Sequence, residues 1–280
     1  MKATKIASIF AVTAIAAAVS TTTIAAEAVF SGEAGLQYKM LDSGDVLDAS
    51  DFAEIELAID TGLVYAEVEY GTNATASGKS TLDIEKIYVK QGAVQFGKFD
   101  GTLSDGAFYG NDDVYGGVTV ASKQAAIRYE VAKGLKVAIE GSDAVDSDGN
   151  TVLGFAAVYK LDMGAAKVAL SAGSLDEDTV YNLGLQFTGG PATVSLNYGG
   201  GEVSDADKAE VNLTIEAALS DSFVVSLEYG DDTESDASDD GMVVIASYTV
   251  DSVRYYVENG SGDFFGDAKE YTEIGAKVEF

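Results

Sequence analysis

The stretch TVYNLGLQFTGGPATVSLNYG (residues 179–199) decides the fold, because apolar and polar residues alternate on both sides of a tight turn. Every second residue from Tyr181 to Phe187 is apolar, its neighbours are polar or small, and the alternation resumes after 189–191. A period of two is typical of a β-strand with one apolar and one polar face. The only proline of the chain, Pro191, lies in the turn, where it removes no hydrogen bond between strands. The stretch therefore predicts a β-hairpin.

The same alternation runs through the chain in both directions from this hairpin. It predicts sixteen strands and no helix after residue 28. The strands average about ten residues, the length that crosses the hydrocarbon core of a bilayer when the strand is tilted. They are expected at 29–40, 52–59, 63–70, 81–90, 93–99, 124–131, 135–142, 151–160, 165–172, 179–188, 192–199, 208–218, 223–230, 241–249, 253–259 and 270–280.

The connections between these strands are alternately short and long. A barrel whose strands run up and down through a membrane sorts its connections in this way, and its closure pairs every backbone group. The sequence therefore predicts an all-β, sixteen-stranded antiparallel transmembrane barrel with both termini at the short-turn end. Short turns are expected at 61–62, 91–92, 132–134, 161–164, 189–191, 219–222 and 250–252, and long connections at 41–51, 71–80, 100–123, 143–150, 173–178, 200–207, 231–240 and 260–269.

The composition excludes several functions. The chain of 280 residues has 46 acidic and 17 basic residues, a net charge of −29, and no His, Cys or Trp. Without His and Cys there is no zinc site, thiol nucleophile or Ser-His-Asp triad, and the negative charge opposes nucleic-acid binding. We expect neither an enzyme nor a nucleic-acid-binding protein, and no cofactor.

Residues 1–28 have the features of a secretory signal peptide. Lys2 and Lys5 precede the apolar run 6–19, and small residues allow cleavage after Ala25 or after Ala28. The apolar run is too short to cross a bilayer as a helix. The sequence thus predicts an exported protein with a single barrel domain at 29–280.

The polar faces of the predicted strands carry many charged residues, which suits a water-filled interior. Two strands, 81–90 and 241–249, fit the alternation poorly, and a bulge or a contact between subunits would explain either. Five tyrosines end their strands on the apolar face, as the interfacial girdle of a membrane barrel would require: Tyr38, Tyr70, Tyr159, Tyr198 and Tyr229.

Three stretches of the chain resemble the general-diffusion porins of Gram-negative outer membranes, in particular the short porins of alphaproteobacteria. AEAVFSGEAGLQY (26–38) is similar to the family's first strand, and IGAKVEF (274–280), which ends in Phe280, to its carboxy-terminal assembly signal. Residues 95–117 with 122–130 are similar to its pore-constricting third loop and the following strand. The chain departs from the family in being short, in lacking Trp and in having only two Arg residues.

The resemblance implies a channel for passive diffusion of small hydrophilic solutes and ions. It also implies a homotrimer in the Gram-negative outer membrane, inserted by the barrel-assembly machinery through a signal at Phe280. The long connection 100–123 is the third in order, and the resemblance implies that this loop folds into the lumen, where its acids face a basic wall. With few basic residues against many acids, we expect a preference for cations.

The candidate constriction residues follow from this resemblance. Periodicity alone places Arg128 on the polar face of its strand, whereas Lys98 shares a face with Val94 and Phe96. The acidic candidates are Asp100, Asp105, Asp112 and Asp113, and the basic candidates are Lys98, Lys123 and Arg128.

Two alternatives remain open. The acidic runs 143–150 and 231–240 offer carboxylates for loose surface binding of calcium, although neither has the EF-hand spacing. The alternative to a channel is an exported, non-conducting β-rich structural or adhesive surface protein, whose polar faces would meet solvent.

Overall fold

The computed structural model describes residues 28–41, 53–72, 80–120, 125–145, 151–234, 239–268 and 270–280. Their regular structure is β-strand, apart from a short 3₁₀ segment at Asp263–Ala268. No helix in these ranges is long and apolar enough to cross a membrane. The strands are β1 (Val29–Leu41), β2 (Ala53–Asp60), β3 (Val64–Thr72), β4 (Ser80–Gln91), β5 (Val94–Lys98), β6 (Ala125–Ala132), β7 (Leu135–Val145), β8 (Thr151–Asp162), β9 (Ala166–Leu175), β10 (Asp178–Gly189), β11 (Ala192–Val203), β12 (Ala206–Ala218), β13 (Phe223–Asp232), β14 (Asp240–Val250), β15 (Val253–Gly262) and β16 (Glu270–Glu279).

The strands form one closed antiparallel barrel in chain order. Each strand pairs with its neighbours in sequence, and β1 closes the barrel by pairing with β16 from Glu33–Glu279 to Leu41–Tyr271. Beyond that ladder, the backbone of Phe280 exchanges two hydrogen bonds with Gly32, of 2.8 and 2.9 Å. Closure removes the unpaired edges that an open sheet would carry. The predicted sixteen-stranded antiparallel barrel is confirmed.

Burial in this barrel is the reverse of burial in a water-soluble one. Large apolar side chains of the outer face are exposed, such as Phe155 at 59% and Ile274 at 46%, whereas Glu228 at 0% and Asn212 at 2% are buried inside. An apolar outside and a polar inside are what a lipid-facing barrel requires. Four of the five expected girdle tyrosines are exposed on the outer face, namely Tyr70, Tyr159, Tyr198 and Tyr229. Tyr198 does not end its strand, because β11 continues to Val203.

The irregularity expected in 81–90 is a β-bulge. Glu67 pairs with Lys86 while the next residue, Val68, pairs with Ile84, so Glu85 is the extra residue of β4. An extra residue reverses the face on which the following side chains lie. This reversal explains why the apolar frame of the sequence shifts there.

The apolar residues on both faces of β14 have a different cause. The pairing of β14 with both neighbouring strands is regular, so there is no bulge. Inside the barrel, Val243 and Ile245 are buried in a cluster with Val114, against which Phe264 and Phe265 also pack. The second apolar face therefore binds loop residues within the same chain.

Two expected long connections are tight hairpins. The strands β9 and β10 are joined by Asp176 and Glu177, and β11 and β12 by Ser204 and Asp205, where 173–178 and 200–207 were expected as loops. Asp176, Ser204 and Asp205 have left-handed backbones, with φ of 55°, 55° and 62°. Such turns usually contain Gly or Asn, so these residues gave no clear turn signal.

Candidate pore constriction

Residues 99–120 follow β5 and contain neither helix nor strand. We call them the third-loop segment. The segment lies along the buried polar face of the barrel, and its contacts proceed from strand to strand. Leu103 contacts β7, Ser104 contacts β9 and β10, Tyr109 contacts β11, and Val114 contacts β13. One irregular segment therefore follows nearly half of the barrel wall.

Inward side chains of successive strands hold this segment by hydrogen bonds. The Asn197 side chain accepts from the backbone N–H of Phe108 at 3.3 Å and donates to the carbonyl of Tyr109 at 2.7 Å. The Glu228 carboxylate accepts from the backbone N–H groups of Asp113 and Val114, both at 3.1 Å. The other strand side chains with such bonds are Arg128, Glu140, Ser171, Asn182, Asn212, Thr214 and Ser226.

Inward glycines allow the segment to lie close to the wall. A Cβ atom at Gly184 would lie 2.6 Å from the Cβ of Phe108, and one at Gly230 would lie 2.7 Å from Val114. Contacts this short require something to shift, so a larger residue would push the segment away. The glycines and the polar side chains of the wall thus act together in placing the segment.

Arg128 lies at the base of the third-loop segment. Its guanidinium donates to the carbonyl of Gly101 at 2.9 Å, lies 3.5 Å from the Glu140 carboxylate, and stacks over the Phe99 ring at 4.1 Å. Its side chain is only 14% exposed. Arg128 therefore faces inward, and it binds the loop backbone.

Lys98 is not brought to this group. Lys98 pairs with Ile87 in the β4–β5 register, and Ile87 is exposed on the outer face. The Lys98 ammonium donates to the carbonyl of Ile84 and lies 3.9 Å from Asp83. Lys123 lies outside the described residues.

Two of the acidic candidates, Asp112 and Asp113, line an opening of about 440 Å³ between the third-loop segment and the opposite wall. Six of its lining residues are acidic and two, Arg254 and Lys277, are basic. Rings of carboxylates favour cations. The acids that line it with Asp112 and Asp113 are Glu33, Glu54, Glu258 and Glu273. We call this space the acidic opening.

The remaining acidic candidates are separate from the acidic opening. Asp100 is exposed at the start of the segment, and Asp105 lies on the far side, in a cavity that Arg128 also lines. The side chains of Asp105 and Asp113 are exposed to water on one side, and they face the barrel wall on the other. This desolvation raises the pKa of both carboxyl groups above the ordinary value for Asp.

Carboxylates also gather on β1 to β4, in the groups Glu33–Glu54–Glu56 and Glu56–Glu67–Glu85. Glu67 is already bonded by the Lys86 ammonium and the Tyr65 hydroxyl. Glu33 is paired with Lys277 at 2.5 Å. Because cations and donors of the chain already occupy these groups, we assign no metal to them.

The candidate constriction residues do not include the asparagines that bind the loop, although the sequence contained one signal for them. Three asparagines are equally spaced along the chain: Asn182 on β10, Asn197 on β11 and Asn212 on β12. Each of them hydrogen-bonds to the third-loop segment. Arg254 and Lys277, on the polar faces of their strands, were not in the candidate set either.

Comparison with known proteins gives the fold. No protein-family model matches the chain, and no curated protein matches it in sequence. Among solved structures, a variant of Rh. blastica porin has a TM-score of 0.63 at 16% identity, covering 91% of this chain and 100% of its own. The barrel has the fold of an outer-membrane porin. A loop-deletion variant of OmpT, an outer membrane protein of Vibrio cholerae, has a TM-score of 0.62 at 18% identity, covering 91% of this chain and 99% of its own.

Proposed function

We propose that the chain forms a water-filled channel in the Gram-negative outer membrane for passive diffusion of small hydrophilic solutes and ions. In this proposal the third-loop segment lies within the lumen and narrows it. The observation that carries the proposal is the series of hydrogen bonds from the segment to inward polar side chains of β7 to β13, within a barrel whose outer face is apolar. A segment bound in this way narrows a pore without closing it, because the acidic opening remains beside it.

We further propose that the channel prefers cations. The acidic opening has six carboxylates against two basic side chains, Arg254 and Lys277. Low-dielectric walls focus the field of these charges into the gap. Asp112 and Asp113 supply the loop side of this charge. Arg254 and Lys277 take the place that was predicted for Lys98.

The reversal potential in a planar bilayer tests this function. Under a tenfold KCl gradient, we expect stepwise conductance and a reversal potential of the sign for a cation-selective pore. The selectivity should weaken at about 1 M salt, where the screening length is only about 3 Å. Stepwise conductance with anion selectivity would contradict the charge assignment. Heat-modifiable migration on detergent gels shows that the barrel is folded. If folded protein gave no conductance, the structural or adhesive alternative would be favoured.

Lowering the pH should reduce the cation selectivity. Desolvation raises the pKa of Asp105 and Asp113, so both are neutralised at a higher pH than a free Asp, whose pKa is about 3.9. As the pH falls from 7, these two of the fixed negative charges, of which Asp113 lines the acidic opening, are therefore lost before exposed carboxylates titrate. We expect the reversal potential to begin moving towards zero at pH values above about 3.9, the pKa of a free Asp. In the double variant Asp105→Asn/Asp113→Asn, the reversal potential should depend less on pH. An identical profile in the double variant would contradict this.

The remaining proposals concern export and assembly. We propose that residues 1–28 are a cleaved signal peptide, that Phe280 acts as a signal to the barrel-assembly machinery, and that the barrel functions as a homotrimer. The exposed ring of Phe280 and its backbone pairing with Gly32 at the barrel seam support a role in assembly. We also propose that the protein is not an enzyme and needs no cofactor, with calcium bound at most loosely at its acidic connections.

A further inference from the structure

A cavity on the far side of the third-loop segment differs in charge from the acidic opening. It has a volume of about 360 Å³ and is lined by residues of 102–108 and of β6, β7 and β8. Its charged lining residues are Arg128, Lys136, Lys160 and Asp105, so three cations oppose one carboxylate. Gly134, in the turn between β6 and β7, also lines it, which places the cavity toward the short-turn end of the barrel. We call it the basic recess.

The cations of the basic recess have unused capacity to bind an anion. Among the described residues, neither Lys136 nor Lys160 forms an ion pair, although Glu130 lies opposite Lys136 in the β6–β7 register. The Lys160 ammonium lies 5.4 Å from the centre of the Phe108 ring. Arg128 is engaged by the Gly101 carbonyl and is paired with the Glu140 carboxylate at 3.5 Å, but its Nε is buried without a hydrogen-bond partner.

We infer that the basic recess binds the carboxylate or phosphate group of a small solute whose apolar or aromatic body contacts Phe108. Ammonium and guanidinium groups form strong charge-assisted hydrogen bonds with both anions. The neighbouring Phe108 and Val158 supply apolar surface for the rest of the solute. This inference rests on the proposed function, because the solute reaches the recess through the pore.

The recess matters because the rest of the chain repels anions. A net charge of −29 and the acidic opening both make entry of a free anion unfavourable. A local group of three cations lowers that barrier on one side of the loop. The channel would then pass cations freely and retain small organic anions long enough to be measured as a block.

Block of the potassium current by phenyl phosphate tests the inference. We expect phenyl phosphate to reduce the single-channel K⁺ current of the wild type more strongly than inorganic phosphate does. The double variant Lys136→Gln/Lys160→Gln should raise the half-blocking concentration at least tenfold. Phe108→Leu should reduce the difference between the two phosphates. Lys133→Gln is the matched control, since it removes a nearby positive charge from the turn that is not part of the recess lining, and it should change the half-blocking concentration less than twofold.

Calorimetric titration of phenyl phosphate into the folded protein in detergent separates this inference from the proposed function. Binding that the double lysine variant loses, while Lys133→Gln keeps it, supports the recess even if the barrel does not conduct. Conductance without block, or block of equal strength in the wild type and the double variant, would overturn the recess and leave the channel intact. Heat-modifiable migration of each variant shows that the barrel is folded, so a negative result cannot come from misfolding.

Discussion

Replacing Glu228 by Ala is expected to detach the tip of the third-loop segment from the barrel wall. Glu228 is fully buried, and its carboxylate accepts hydrogen bonds from two backbone N–H groups of the segment and from the Asn212 amide. A buried donor left without an acceptor costs about 1–3 kcal/mol, so the two backbone donors of the segment together lose roughly 2–6 kcal/mol of binding to the wall. We expect a higher and noisier single-channel conductance, and faster protease cleavage within 99–120.

Two further variants separate the loss of the loop anchor from the loss of charge. Glu216→Ala removes an inward-facing carboxylate of β12 that is exposed and makes no hydrogen bond to the described loop residues. It should change ion selectivity slightly and leave protease cleavage unchanged. Glu228→Gln keeps one acceptor oxygen and should lie between the wild type and Glu228→Ala. If Glu228→Ala and Glu216→Ala behaved alike in conductance and proteolysis, the segment would not depend on Glu228.

The strand order and closure could be predicted because they depend on a local signal that is repeated many times. Alternation of apolar and polar residues marks each strand, and an up-and-down barrel needs only neighbouring strands to pair. The bulge at Glu85 was visible as a shift of the same frame. The hairpins at 176–177 and 204–205 were missed because Asp and Ser adopt a left-handed backbone there that Gly or Asn usually takes.

The site was predicted less completely, because an irregular segment has no periodicity to read. Alternation correctly placed Arg128 on the inner face, but its partners, Gly101 and Glu140, depend on the path of the loop. In the same way, the sequence shows Asn197 only as a polar strand residue, and its hydrogen bond to the loop is seen only in the structure. Val243 is an apolar residue on the inner, polar face of its strand, and the sequence pattern does not explain it. The structure does, because Val114 and Phe264 pack against it. Long-range contacts of this kind have no signature in a single strand.

Leu36→Arg and Gln37→Arg, at adjacent positions of β1, are expected to have very different effects. Leu36 is 58% exposed on the outer face near the middle of its strand, whereas Gln37 faces inward and lines the acidic opening. Arg on the lipid face near the bilayer midplane costs about 2–4 kcal/mol, while Arg in a wet lumen costs little. Unfolding by denaturant in lipid vesicles should therefore show a large loss for Leu36→Arg and a small one for Gln37→Arg.

The same pair also separates the channel from a structural surface protein. Gln37→Arg adds a third positive charge to an opening lined by six carboxylates, so the reversal potential should move toward anions at an almost unchanged free energy of unfolding. A structural protein with both faces in water would tolerate Arg at either position about equally. Equal destabilisation by the two substitutions would therefore contradict a lipid-facing outer surface. An unchanged reversal potential in Gln37→Arg would mean that ions do not pass beside Asp112 and Asp113.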